Sequence, residues 1–104
     1  MSTPTFIAVL DFSVSASDRS MAVAQLEREG STIRSMPGCV AFRVFPAQDT
    51  DTDVTVLHEW TDRAAFDGYL ASDAFARSGE ILRPLMTAPP VSRRFHVGLV
   101  EAAV

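Results

Sequence analysis

The amino-acid sequence predicts an α+β fold of the ferredoxin-like, split βαβ kind: a four-stranded antiparallel sheet with helical segments on one of its faces. Three observations predict it. Apolar residues alternate with a period of two in four stretches, and recur at three- and four-residue intervals between the first and second and between the third and fourth. The resulting order, β-α-β-β-α-β, satisfies the right-handed crossover rule most simply in that arrangement. A chain of 104 residues with 47% hydrophobic and 21% charged side chains is large enough for one core, so residues 1–104 read as a single domain.

The first strand is Thr5 to Phe12, with Phe6, Ala8, Leu10 and Phe12 on one face and Ile7 and Val9 on the other. Ser13 to Ser17 is a polar connection in which Ser15-Ala16-Ser17-Asp18 has capping-box spacing, with Ser17 as an alternative cap. The helix behind it carries a stripe of Val23, Leu26, Gly30 and Ile33. Gly30 costs roughly 1 kcal/mol in a helix interior, which points to a close approach of helix backbone to sheet. Met36-Pro37-Gly38 stops the helix, because a proline biases its predecessor away from helical geometry and glycine frees the turn.

The second strand, Cys39 to Phe45, alternates Cys39, Ala41, Arg43 and Phe45 against Val40, Phe42 and Val44, and the polar run Pro46 to Thr52 closes an antiparallel hairpin onto the third. There Val54, Val56, His58 and Trp60 share one face. Thr61 or Asp62 caps a helix bearing Phe66, Tyr69 and Leu70, and Ser72-Asp73 is a second cap or break before Phe75. Ile81 to Pro84 ends the helical region, Thr87 to Pro90 is a stiff linker, and Val91 to Val100 is the last strand. Its faces are Arg93, Phe95, Val97 and Leu99 against Ser92, Arg94, His96 and Gly98.

Composition excludes several functions. A net charge of −4 without basic runs argues against nucleic acid or an anionic membrane as partner. No apolar run approaches the ~20 residues of a membrane helix, and no basic-then-apolar export signal opens the chain. The single cysteine, Cys39, leaves no internal disulfide and fits a reducing cytoplasm. All nine basic side chains are Arg, a codon signature of a GC-rich bacterial genome. No His, Cys, Asp or Glu set has metal-ligand spacing, and the isolated glycines form no phosphate loop, so neither metal nor cofactor is expected. The first two strands are apolar on both faces while the helices cover only one. The bare face therefore calls for a second sheet from another copy, a homodimer.

Met36-Pro37-Gly38-Cys39 entering a strand, then Glu59-Trp60-Thr61-Asp62-Arg63-Ala64-Ala65-Phe66, then Tyr69-Leu70-Ala71-Ser72-Asp73-Ala74-Phe75 resembles the antibiotic biosynthesis monooxygenase domain of the dimeric α/β-barrel superfamily. The resemblance spans nearly the whole chain. It implies a homodimeric α/β barrel with a pocket between each subunit's helices and sheet. It also implies a kinship with cofactor-free oxygenases of aromatic polyketides, quinol monooxygenases and haem-degrading monooxygenases. Of the pocket residues of the anthrone-oxidising members only the strand-end Trp is matched, by Trp60; their strand Asn falls on Val56 and their helical Tyr on Phe66. The helical Trp of haem-degrading members corresponds to Tyr69, while their His ligand falls near Gly79 and their first-strand Asn near Leu10, which speaks against haem. Many relatives carry Glu where this chain has His58.

The function implied is cofactor-independent oxidation of a small hydrophobic aromatic substrate, an aromatic polyketide or quinol, with O2 in secondary metabolism. Such chemistry needs a substrate that ionises and passes an electron to O2, a dry aromatic cavity, one base and donors for the enolate. His58, with an ordinary pKa near ~6.5, is the candidate base. Trp60 and Tyr69 complete the candidate catalytic set: Trp60, with Phe66 and Phe75, would stack on the substrate, and Tyr69 would hold the enolate oxygen with Arg43 or Arg94, whichever strand face turns inward. Plainer readings stand beside these: His58 as a hydrogen-bonded strand residue, Trp60 and the Phe residues as core, His96 at an interface or surface. A non-catalytic ligand-binding dimer and an isomerase or cyclase on the same barrel are the alternative functions.

Overall fold

Four strands and three helices follow one another in the expected order in a computed structural model that describes residues 3–103. They are β1 (Phe6–Ser13), α1 (Arg19–Arg34), β2 (Cys39–Pro46), β3 (Asp53–Trp60), α2 (Arg63–Leu70), α3 (Asp73–Leu82) and β4 (Val91–His96), with a 3-10 turn at Arg83–Leu85 before the linker to β4. The sheet is antiparallel throughout, in the order β2-β3-β1-β4. This is the predicted ferredoxin-like arrangement.

Register decides which side chains meet. Ala8 lies opposite His58 on β3 and opposite Arg94 on β4, while Phe42 of β2 lies opposite His58. One row across the helix-covered face is therefore Phe42, His58, Ala8 and Arg94. The next row is Cys39, Trp60, Phe6 and His96. Phe6, Ala8, Val54, Val56 and Trp60 are almost wholly buried on this face, beneath Leu26 and Ile33 of α1 and Phe66 of α2. Each large side chain so buried contributes roughly 1.5–3 kcal/mol to the core.

Four sequence expectations need correction. Strict alternation puts Cys39 on the face of Ala41 and Arg43, but a bulge between Cys39 and Ala41 shifts the register. Cys39 joins the helix face with Phe42 and Val44, and Ala41, Arg43 and Phe45 turn to the other. At the start of α1 neither serine caps: the N-cap is Asp18, without a side-chain bond, and Ser15 and Ser17 hydrogen-bond to each other at 3.2 Å. The space at Gly30 is filled by the Arg34 guanidinium, which a Cβ would meet at 2.8 Å, and not by the sheet. Arg34 is held there by donating to the Phe42 carbonyl at 3.0 and 3.1 Å. Finally, β4 ends at His96 because His96 pairs with Phe6, the first residue of β1; one further bond, Val97 N–H to the Thr5 carbonyl, closes the ladder.

The opposite face carries Ile7, Val9, Leu57, Phe45, Val91 and Phe95 with no element among the described residues over them, and the last two are 53% and 46% exposed. Arg93 and Asp11 form an ion pair among them.

Candidate active site between helices and sheet

Two local caps deliver the helical side chains to the site. Asp62 accepts from the Ala65 N–H at 2.8 Å and starts α2, which turns Phe66 and Tyr69 inward. Ser72 accepts from the Phe75 N–H at 3.2 Å and starts α3. Phe75 and Gly79, with Arg83 just beyond, then follow at four-residue intervals along one side of α3.

These elements enclose a cavity of about 100 Å³. Phe42, Val56 and His58 form its floor, Tyr69 a wall, and Phe75, Gly79 and Arg83 its mouth. The mouth residues also line an outer groove of about 400 Å³ with Glu80 and Pro84. The inner cavity and the groove thus meet at Phe75, Gly79 and Arg83.

His58 is surrounded by rings: Phe42 at 5.8 Å, Phe66 at 5.6 Å and Tyr69 at 5.5 Å between centroids. The Trp60 indole N–H donates to His58 Nδ1 at 2.8 Å. Indole can only donate, so Nδ1 must offer a lone pair, and the neutral imidazole keeps its proton on Nε2. Burial, helped by the positive charge of Arg94, pushes the His58 pKa down to about 4. Tyr69 moves the other way: burial, with Glu29 and Cys39 nearby, raises its hydroxyl to about 12. Both groups are neutral at pH 7.

The structure gathers some of the expected site residues and separates others. His58, Tyr69 and Phe75 line the cavity. Trp60 is wholly buried behind them and touches the cavity lining through His58 and Tyr69. Phe66 is likewise core, with the Arg94 guanidinium 4.9 Å from its ring. Arg94 is thus on the site's side of the sheet but outside the cavity lining. Arg43 pairs with Leu57 on the bare face, so the expectation that it faces the substrate is corrected by the bulge in β2. His58 Nδ1, the lone pair that a base would use in this tautomer, accepts from the Trp60 indole.

Sequence reasoning missed Phe42, Ser78 and Arg83. The i, i+4, i+8 spacing of Phe75, Gly79 and Arg83 is the signal for the last. Leu10, Tyr69 and Gly79, at or near which the haem-degrading pattern falls, all line the cavity. Among the described residues no group of three or more His, Cys, Asp or Glu is arranged to hold a metal ion, and no helix is long and apolar enough to cross a membrane.

The sequence pattern of the antibiotic biosynthesis monooxygenases matches residues 5–80. This chain belongs to that family. The monooxygenase family assignment is accompanied by close agreement with solved structures. A crystal structure of an antibiotic biosynthesis monooxygenase superposes with a TM-score of 0.81 at 17% identity, covering 90% of this chain and 99% of the other. Rv0793 from Mycobacterium tuberculosis superposes at 0.83 and 20% identity, covering 97% and 100%. Protein SO0527 from Shewanella oneidensis superposes at 0.82 and 21% identity, covering 90% and 91%. At these identities the likeness is one of fold. No curated protein sequence matches the chain.

Proposed function

We propose that this chain is a cofactor-independent monooxygenase that oxidises a quinol-type aromatic substrate with O2. One observation carries the reading: an aromatic-walled cavity whose floor presents a single neutral polar ring, His58, to whatever enters. Such a site excludes water and leaves the reducing power to the substrate. For a hydroquinone the balance is simple. One aromatic C–H becomes C–O, the substrate is oxidised to a hydroxyquinone, and the second oxygen atom leaves as water with the two hydrogens lost. The four electrons all come from the substrate.

Cavity size narrows the substrate. A cavity of about 150 Å³ accommodates benzene, so about 100 Å³ takes no more than one ring without adjustment. A second ring would lie in the outer groove beside Arg83 and Glu80. This favours one- or two-ring quinols over the tricyclic anthrones of aromatic polyketide pathways. The enzyme works as a homodimer, a reading supported by the bare apolar face, and the half-buried thiol of Cys39 suits a reducing cytoplasm.

The test is oxygen uptake with benzo- and naphthohydroquinones, in the presence of chelator and without flavin or nicotinamide. Protein-dependent uptake with a hydroxylated product is expected. Tight binding of the same compounds with no uptake above the spontaneous rate would favour the ligand-binding domain instead, and isotope exchange into a substrate C–H without oxidation would favour an isomerase or cyclase.

A further inference from the structure

The cavity holds a hydrogen-bond donor where an oxygenase of this kind would be expected to hold a base. We propose that Trp60 is a positioning residue that locks His58 as an Nε2–H donor, so that the site selects phenols and quinols acidic enough to enter as their own oxyanions. The substrate class rests on the monooxygenase reading; the lock does not.

The argument starts from the indole. Trp60 is 0% exposed, its ring is fixed against Tyr69 at 5.4 Å and 26°, and its N–H has His58 Nδ1 as acceptor at 2.8 Å. Were His58 to adopt the other neutral form, with the proton on Nδ1, two N–H groups would point at each other in a dry interior. The buried indole N–H would then lose its partner. To accept a substrate proton the ring must become the imidazolium, and its surroundings oppose that charge. Arg94 approaches from β4, Arg83 stands at the cavity mouth, Tyr69 on α2 is a neutral phenol, and the carboxylate of α1, Glu29, faces Tyr69. None of these offers His58 a counter-ion. An imidazolium is disfavoured, and an Nε2–H aimed at an oxyanion is favoured.

The consequence is a division of labour. The substrate loses its proton to solvent before or on entry, the anion places its oxygen on His58 Nε2–H, and the electron-rich ring lies among Phe42, Tyr69 and Phe75. Specificity then follows acidity as well as shape: an un-ionised phenol leaves a weaker hydrogen bond at Nε2, by about 10-fold or more.

The experiment has two arms. In the first, protein labelled with 15N in histidine is observed at neutral pH by long-range proton–nitrogen correlation. His58 should show an unprotonated Nδ1 and a protonated Nε2, and Trp60→Phe should release the ring to a mixture of tautomers; a protonated Nδ1 in the parent overturns the lock. In the second, redox-inert fluorophenols of graded acidity are titrated against the protein across pH. Affinity should rise through each phenol's own pKa. His58→Gln, which keeps a donor, should bind each phenolate within a few-fold of the parent, and His58→Leu should lose about 10- to 100-fold. Affinity that follows one protein group whatever the phenol, or is unchanged in His58→Leu, overturns the selection. Neither arm requires turnover, so phenolate binding without oxygen uptake would defeat the monooxygenase reading alone.

Discussion

Tyr69 stacks on Trp60 with ring centroids 5.4 Å apart and planes inclined by 26°, and the same phenol ring meets His58 edge-on at 5.5 Å. Two titratable groups thus share one dry contact and are shifted in opposite directions. His58, lowered from 6.5 to about 4, binds protons more readily in the unfolded chain, so its contribution is complete above pH 6.5 and is lost as pH falls toward 4. Tyr69, raised from 10 to about 12, keeps its proton longer when folded, so its contribution is complete below pH 10 and is lost as pH rises toward 12. Each limb amounts to about 3 kcal/mol. Denaturant unfolding across pH should give a plateau between these windows. His58→Leu should flatten the acid limb and Tyr69→Phe the alkaline one; an acid limb unchanged in His58→Leu would show that another group carries it.

Glycine substitutions should separate two kinds of position. Gly38 has φ +81°, and an added Cβ would lie 2.4 Å from Ala65 Cβ and 2.7 Å from Thr61 Oγ1, at the point where β2 meets the start of α2. Gly38→Ala combines left-handed strain with a clash against backbone-anchored atoms, and should cost about 3 kcal/mol or more. Gly68 lies exposed within α2 with no atom within 4 Å of its added Cβ, so Gly68→Ala should stabilise by about 0.5–1 kcal/mol. Melting curves of the two variants should move in opposite directions.

The bare face predicts assembly. Light scattering over a dilution series should give twice the chain mass for the parent. Leu57 sits in the middle of that face, opposite Val9 and Arg43. Leu57→Glu would bury a carboxylate between two sheets, so the variant should scatter as a monomer at micromolar concentration. A parent already monomeric there would remove the case for a second sheet.

Disrupting the mouth should affect substrate entry more than folding. Phe75 is partly buried and meets Tyr69 edge-on at 5.2 Å. Phe75→Ala joins the inner cavity to the groove and should widen acceptance toward two-ring quinols, seen as a lower KM for naphthohydroquinone relative to benzohydroquinone. An unchanged ratio would place the entry elsewhere.

What the sequence determined by itself is what depends on neighbours along the chain. The alternation of Val54, Val56, His58 and Trp60 put one buried face on β3, and Asp62 and Ser72 started α2 and α3, because period and capping act over two to four residues. The family resemblance was legible in the same junctions. Only the tertiary structure decided that Arg43 leaves the helix-covered face and Cys39 joins it, since a single bulged residue reverses the parity of every side chain beyond it. Only the tertiary structure paired the Trp60 indole with His58 Nδ1 as well. Alternation places both rings on one face but is silent about their rotation, and that rotation is set by Tyr69 and Phe66 packing from a different element. The donor role proposed for His58 rests on that packing: which nitrogen keeps its lone pair depends on the direction of one buried N–H.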